Sequence, residues 1–193
     1  MTNEHQLIDQ ALDGDPAAFG ELMRRHQDRL FTSIVHVVGQ REEAEDIVQD
    51  AFLQALTKLG SFRRDSSFYT WLYRIALNLT ANRHRRNCRE VSMDPPSSGS
   101  QADPADPNEL PAQHVLRNER GEQIQTALQG LSEEFRTVLV LREIDGLDYQ
   151  SIARVLEVSV GTVRSRLHRA RAIMRERLRQ EPSETLPRGE SQR

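Results

Sequence analysis

The sequence predicts an all-α protein: two small helical domains joined by a flexible linker, the second containing a helix-turn-helix. Three observations carry that prediction. Aromatic residues make up only 5% of the 193, and the chain is rich in Ala, Leu, Glu and Arg, a composition that favours helix over strand. Apolar residues recur at helical spacing on both sides of a stretch where the pattern dissolves into Pro, Ser and Gly. Finally, the segment from Asp148 to Leu167 sets capping residues, a turn apolar residue and two inward faces in the register of a helix-turn-helix.

Each element follows from its residues. Asp15 can cap a helix and Pro16 can occupy its first position; Phe19, Leu22, Met23, His26, Leu30 and Ile34 then line one side, and Gly39 ends it. From Glu42, Ala44, Ile47, Val48, Ala51, Phe52, Ala55, Leu56 and Leu59 repeat at i, i+3, i+4, i+7 until Gly60. A third series, Phe68, Trp71, Leu72, Ile75, Ala76 and Leu79, runs on into the basic Arg83-His84-Arg85-Arg86. Three amphipathic helices of this length make a bundle, which assigns residues 1–90 to one domain. Residues 91–112, with Pro95-Pro96-Ser97-Ser98-Gly99-Ser100 and Asp103-Pro104, read as a flexible linker. Periodicity resumes near His114 and continues through Ile124, Leu128, Phe135, Val138, Leu139 and Leu141 to a break at Asp145-Gly146, opening a second domain over 113–180. Residues 181–193 hold two prolines and no apolar stripe, and read as a disordered tail.

Charge narrows the function. The net charge of −3 conceals a segregation: residues 1–60 hold eleven acids and five bases, whereas residues 61–90 hold seven bases and two acids, and residues 158–180 seven bases and one acid. Two compact basic patches suit a polyanion, and the acidic stretches suit solvent or a basic protein partner. No apolar run reaches the roughly 18 residues a membrane span requires. Met1 to Gln10 lacks a basic-then-apolar leader pattern, so the expected compartment is the cytoplasm. A single cysteine, Cys88, excludes an intramolecular disulfide framework.

The helix-turn-helix is the most specific feature. Ile152, Ala153 and Leu156 face inward on its first helix, Val158 plugs the turn, and Ser159 can cap a second helix packed through Val160, Val163, Leu167 and Ala170. At 3.6 residues per turn, Gly161, Ser165, His168, Arg169 and Ala172 then point outward, with Arg164 at the edge of that face. Arginine in a major groove can bond guanine bidentately, and the flanking Arg166, Arg171 and Arg175 suit phosphates. A merely solvated basic helix would need none of the cap, the turn residue or the register.

Three stretches together carry a resemblance: Ala44-Glu45-Asp46-Ile47-Val48-Gln49-Asp50-Ala51-Phe52, Phe68-Tyr69-Thr70-Trp71-Leu72-Tyr73-Arg74-Ile75-Ala76-Leu77-Asn78, and Gly161-Thr162-Val163-Arg164-Ser165-Arg166-Leu167-His168-Arg169-Ala170-Arg171. In this order, on both sides of a linker, they resemble the extracytoplasmic-function group of bacterial RNA polymerase sigma factors. The resemblance runs from Phe19 to Leu178 and excludes the linker sequence. It implies a stress-response transcription initiation factor that binds core RNA polymerase, directs it to promoter DNA, and is held in check by an anti-sigma factor. The exposed face of the second helix, Asp46, Gln49, Asp50 and Leu53, would dock on the clamp helices of the largest polymerase subunit. The third helix and the loop before it would melt promoter DNA and read the downstream, minus-ten element, through Tyr69, Tyr73, Asn78, Asn82, Arg83, Arg85 and Arg86. The two tyrosines lie one turn apart, away from the apolar stripe; Phe68, Trp71 and Leu72 belong to the packed side. The upstream, minus-thirty-five contacts would fall on Thr162, Arg164, Ser165, Arg166, His168, Arg169 and Arg171. Family members vary at the position of His168, which leaves the base preference there open.

Competing chemistry is thin. His84 and Cys88 stand at i, i+4, but a metal site needs more ligands, and they read as spectators inside a basic patch. Cys88 among arginines could have a lowered pKa, which makes a redox role a minor expectation. Glu42, Glu43, Glu45 and Asp46 suit a solvated or docking face better than acid/base catalysis, and no glycine-rich phosphate loop or serine elbow is present. The expectation is a non-enzyme with no cofactor, no metal and no small-molecule substrate. The competing function is a self-sufficient helix-turn-helix repressor or activator whose first domain is a dimerisation or sensing module. Such a repressor would bind duplex DNA alone; a sigma factor should bind it weakly until polymerase is present.

Overall fold

The computed structural model describes residues 3–90 and 111–180, with side chains for 3–85 and 120–179. Those residues are helical, with no strand among them. The helices are α1 (Glu4–Leu12), α2 (Pro16–Val38), α3 (Arg41–Lys58), α4 (Phe68–Glu90), α5 (Pro111–Gln129), α6 (Glu133–Glu143), α7 (Tyr149–Leu156) and α8 (Val160–Gln180). A short 3-10 turn, Leu59–Ser61, follows α3. The expected linker falls outside the described residues apart from Pro111 and Ala112, which begin α5, and the expected tail lies wholly outside them.

The first half is a four-helix arrangement. Helix α2 starts as its sequence predicts, with Asp15 Oδ1 accepting from the Ala17 amide at 2.9 Å ahead of Pro16. It ends at Gly39, whose φ of 88° is left-handed. Gly39 is doubly constrained, since a Cβ there would sit 2.6 Å from the Gln129 side chain. Helix α3 packs through Ala44, Ile47, Val48, Ala51, Phe52 and Ala55, the stripe read from the sequence except for Leu56, which faces solvent. Helix α4 packs through Phe68, Trp71, Leu72, Ile75 and Ala76. Phe62, Phe68 and Trp71 form an aromatic cluster at its start, with ring centroids 5.2 to 6.0 Å apart.

Helix α1 is an addition to the three-helix expectation. It buries Leu7 and Ile8, and Glu4 accepts a hydrogen bond from His26 on α2 at 3.0 Å. That bond holds the Glu4 carboxyl below its ordinary pKa, against the opposing effect of burial. Arg64, in the loop before α4, pairs with Asp9.

In the second half, the run expected to continue from His114 to Leu141 is two helices. It breaks over 130–132, where Ser132 precedes α6 in extended backbone. Val138, Leu141, Ile152, Val163, Leu167 and Ala170 form the core there. The two halves are not separate in this structure: α2 packs against α5 and α6, α4 packs against α7, and one apolar core runs through both.

Candidate nucleic-acid and protein interfaces

The helix-turn-helix forms as its residues direct. Asp148 caps α7, its carboxylate accepting from the Ser151 amide at 2.8 Å. That bond, with a second from the Ser151 hydroxyl, holds the Asp148 carboxyl below the ordinary range. Glu157 closes α7 in the left-handed region, at φ 54°. Ser159 then caps α8, its hydroxyl accepting from the Thr162 amide at 3.0 Å. Val163, Leu167 and Ala170 are buried, which turns Arg164, Ser165, His168 and Arg169 to solvent.

The flanking arginines divide. Arg166 is turned to α6, where it meets Glu134 at 2.7 Å, and Arg171 meets Glu143 at 2.6 Å. Hydrogen bonding by Glu143, larger than the opposing burial, raises the Arg171 pKa. Thr162 is half-buried, its hydroxyl against the Ser159 cap at 2.9 Å. The exposed face of Arg164, Ser165, His168 and Arg169 is therefore flanked by cations already tied to acids of α6.

The exposed face of α3 is also present. Leu53, one turn on from Gln49 and Asp50 and two from Asp46, is 57% exposed, and Leu56, expected on the packed stripe, is turned out at 50% exposed. Arg83 of α4 bridges Asp46 at 3.1 Å and Asp50 at 2.8 Å. Burial opposes the Arg83 charge, but the hydrogen bonds it donates to the two carboxylates outweigh it and raise its pKa. Arg83, expected on a DNA-reading face of α4, thus faces α3.

On α4, Asn78 and Asn82 are exposed, and Arg85 donates to Asn82 Oδ1 at 2.7 Å. The side chains of Arg86 and Cys88 lie outside the described residues, and the His84–Cys88 pair cannot be placed as a whole. The tyrosines require a correction. Expected away from the core, Tyr69 and Tyr73 are 3% and 0% exposed. The second half of the chain covers them: Tyr69 donates to Asp145 Oδ1 at 2.5 Å, across the gap between α4 and the turn after α6. Burial, then the nearby Asp145 charge, pushes both phenols far above their ordinary pKa.

Sequence reasoning did not find two surfaces. One is an apolar cleft of about 420 Å³ lined by Ile124, Leu128, Leu139, Ile144, Met174 and Leu178, with Glu143, Arg171 and Arg175 at its rim. Its signal was available in Ile124, Ile144 and Leu178, apolar residues that are all at least 40% exposed. The other is a cleft of about 650 Å³ between the start of α4 and the α7–α8 turn, lined by Trp71, Arg74, Arg154, Glu157 and Ser159. No cluster of three metal-ligating side chains occurs among the described residues, and no helix among them is long and apolar enough to cross a membrane.

The comparisons with known proteins agree with this geometry. Residues 22–90 match the sequence profile of Sigma-70 region 2, and residues 121–174 that of Sigma-70, region 4. The chain is 40% identical over 177 residues to the RNA polymerase sigma-H factor of Pseudomonas aeruginosa, covering 87% of this chain and 90% of that one. It is 35% identical over 177 residues to the ECF RNA polymerase sigma factor SigW of Bacillus subtilis, covering 89% and 95%. Among solved structures, the sigma factor RpoE of Bartonella quintana, crystallised with the anti-sigma factor NepR, superposes with a TM-score of 0.70 at 26% identity, over 85% of this chain and 98% of that one.

Proposed function

The chain belongs to the extracytoplasmic-function group of the sigma-70 family of RNA polymerase sigma factors, and from that membership we propose how its residues divide the work. As a sigma factor it binds core RNA polymerase and directs it to promoters. In our reading, residues 1–90 form the domain that docks on polymerase, melts DNA and reads the minus-ten element. Residues 113–180 form the domain that reads the minus-thirty-five element, and 91–112 tether the two.

The observation that carries this division is the capped α8, with Arg164, Ser165, His168 and Arg169 exposed together on one face. Arginine side chains there reach base edges, and salt weakens the complex as condensed counterions are displaced. On α3, Asp46, Gln49, Asp50 and Leu53 give an acidic rim around an exposed leucine, suited to a basic helical partner on polymerase. On α4, Asn78 and Asn82 supply amides for unpaired bases and Arg85 supplies charge for the backbone. Tyr69 and Tyr73, both buried, are not available beside them in this arrangement.

The chain contributes binding, and RNA synthesis belongs to the polymerase. It works where polymerase works, in the cytoplasm. An anti-sigma protein is a further partner of this chain: the Bartonella quintana relative is solved with one, and the cleft of α5, α6 and α8, apolar within and lined also by Glu143, Arg171 and Arg175, suits an amphipathic protein segment.

Run-off transcription tests the reading, with the purified chain added to bacterial core polymerase on a pool of genomic promoter fragments. Transcripts that start at defined sites only in the presence of the chain are the expected result. No transcripts, together with tight binding of the chain alone to duplex DNA, would overturn it in favour of a repressor.

A further inference from the structure

Helix α1 has no share in the division of work above, yet it reaches the loop 62–67 ahead of α4, the loop read together with α4 as facing the minus-ten element. Both ends of that loop are anchored. Phe62 is buried, its ring centroid 5.2 Å from that of Trp71 and 6.0 Å from that of Phe68. At the other end Ser67 caps α4, its hydroxyl accepting from the Thr70 amide at 3.1 Å. Between them Arg63, Arg64 and Asp65 are exposed, and Arg64 stands in the left-handed region at φ 59°. A non-glycine residue keeps that backbone where surrounding contacts fix it.

Those contacts come from α1. Arg64 pairs with Asp9, and the hydrogen bond it donates holds the Asp9 carboxyl below its ordinary range, against a lesser effect of desolvation. At the start of the same helix, Glu4 accepts from His26 of α2 and from the backbone amide of Phe68, the first residue of α4. Ser67 and Glu4 thus take two of the amides that α4 leaves unpaired in its first turn, and the Glu4 carboxylate meets the positive end of the helix dipole. The His26 ring lies against Phe68 and Tyr69, at centroid distances of 5.5 and 5.8 Å. Helix α1 is itself seated through Leu7 and Ile8, both buried.

We propose that α1 is a positioning strap for the loop 62–67: Asp9 fixes Arg64, Glu4 fixes the first turn of α4, and the exposed Arg63 and Asp65 are thereby presented to unpaired minus-ten bases in one geometry. The strap itself binds no DNA, since Glu4 and Asp9 are acids and would be repelled by phosphates. It acts by removing conformations: the loop is ordered before it meets DNA, so binding does not bear the cost of ordering it. A loop in the reading geometry one-tenth of the time would bind its element about tenfold more weakly than one always in it. This consequence for promoters rests on the sigma-factor reading above; the strap itself does not.

Hydrogen–deuterium exchange on the full-length free chain tests the strap without polymerase or DNA. Asp9→Ala and Glu4→Ala introduce a residue that suits a helix, and each should raise exchange over 62–68 on the order of tenfold while leaving α3 and α8 unchanged. Asp9→Glu and Glu4→Gln, which keep an acceptor, should restore protection. So should the double exchange Asp9→Arg with Arg64→Asp, since aspartate tolerates the left-handed backbone. With core polymerase added, permanganate reactivity of unpaired thymines reports promoter opening. Removing an acid near DNA would by charge alone strengthen binding. Loss of the strap should instead slow opening about tenfold in both alanine variants, with polymerase affinity and upstream-element binding unchanged. Unchanged exchange over 62–68 in both alanine variants, or faster exchange with opening undiminished, overturns the proposal. Exchange that rises across the whole chain with a lower urea midpoint also overturns it, because α1 would then serve the core alone. If the native chain initiates nowhere, the sigma-factor reading fails, and exchange over 62–68 still decides whether the strap exists.

Discussion

Helices α8 and α4 are both basic and both amphipathic, and both carry residues assigned to DNA, yet they differ in what lies on their second side. Helix α8 packs one face and presents Arg164, Ser165, His168 and Arg169 to solvent. Helix α4 packs Phe68, Trp71 and Leu72 on one face and has Tyr69 and Tyr73 covered on another by the turn that carries Asp145. A binding face that follows from its own helix's periodicity is open at once. A face that another part of the chain can cover is conditional.

The largest expected effect asks whether the two helices share one core. Leu72 of α4 and Leu167 of α8 are 0% and 1% exposed. Leu72→Ala and Leu167→Ala should each cost roughly 2–5 kcal/mol, the range for a buried leucine whose site cannot fully collapse. The shared core requires each to lower one common urea transition. Two transitions, each moved by only one variant, would make the halves independent and break the comparison.

The next effect separates readers from flanks on α8 itself. Arg169 is exposed on the outward face of α8, proposed to read DNA, whereas Arg166 is engaged with Glu134. Arg169→Ala should weaken binding of the holoenzyme to its upstream element by roughly 1–3 kcal/mol, the value of a base-directed arginine. Arg166→Ala should cost about 0–1 kcal/mol, because in forming the complex it would first leave an ion pair of similar worth. Neither should alter polymerase binding, which the double change Asp50→Lys with Leu53→Glu should abolish. Equal losses at Arg166 and Arg169 in a filter-binding titration would mean that the flank reads DNA as strongly as the face does.

The same contrast explains what was legible in the sequence. The caps Asp15, Asp148 and Ser159, the stripe of α3 apart from Leu56, and the inward face of α8 are local matters, decided by residues within a turn or two, and are present in the structure. Helix α1 escaped because its nine residues bury only Leu7 and Ile8, too few to show a period. The break between α5 and α6 escaped because the apolar pattern runs through it; Gly130 followed by Ser132 was the available signal. The burial of Tyr69 and Tyr73 was not legible, since it depends on a carboxylate 76 residues from Tyr69 along the chain. Arg83 is the same case on a smaller scale: its cationic run reads as a DNA patch, and only the packing of α3 on α4 turns it to Asp46 and Asp50.

The smallest expected effect sharpens the comparison with two aspartates three residues apart. Asp148 is exposed, and amide and hydroxyl bonds from Ser151 lower its pKa on folding. The unfolded chain then binds the proton more readily, so the stability Asp148 contributes is present above the ordinary carboxyl pKa and is lost as pH falls through the lowered value. Asp145 is the reverse. Burial raises its pKa, against the opposing hydrogen bond from Tyr69, the charge of Arg29 and the polar Ser33 of α2, while Tyr73 of α4 faces it with a buried phenol. Its protonated form is favoured in the folded chain, so its contribution is present below the ordinary value and is lost as pH rises through the raised one. Removing each charge without changing shape should expose the two signs. In urea titrations across the acid range, Asp148→Asn should remove a stability that increases with pH below the ordinary carboxyl value. Asp145→Asn, which keeps an acceptor for Tyr69, should remove one that decreases with pH above it. The Asp148 effect should be slight, since solvent screens an exposed cap. Slopes of the same sign in the two variants would mean that Asp145 is hydrated, and hence that the second half does not cover α4 as Tyr69 and Arg29 place it.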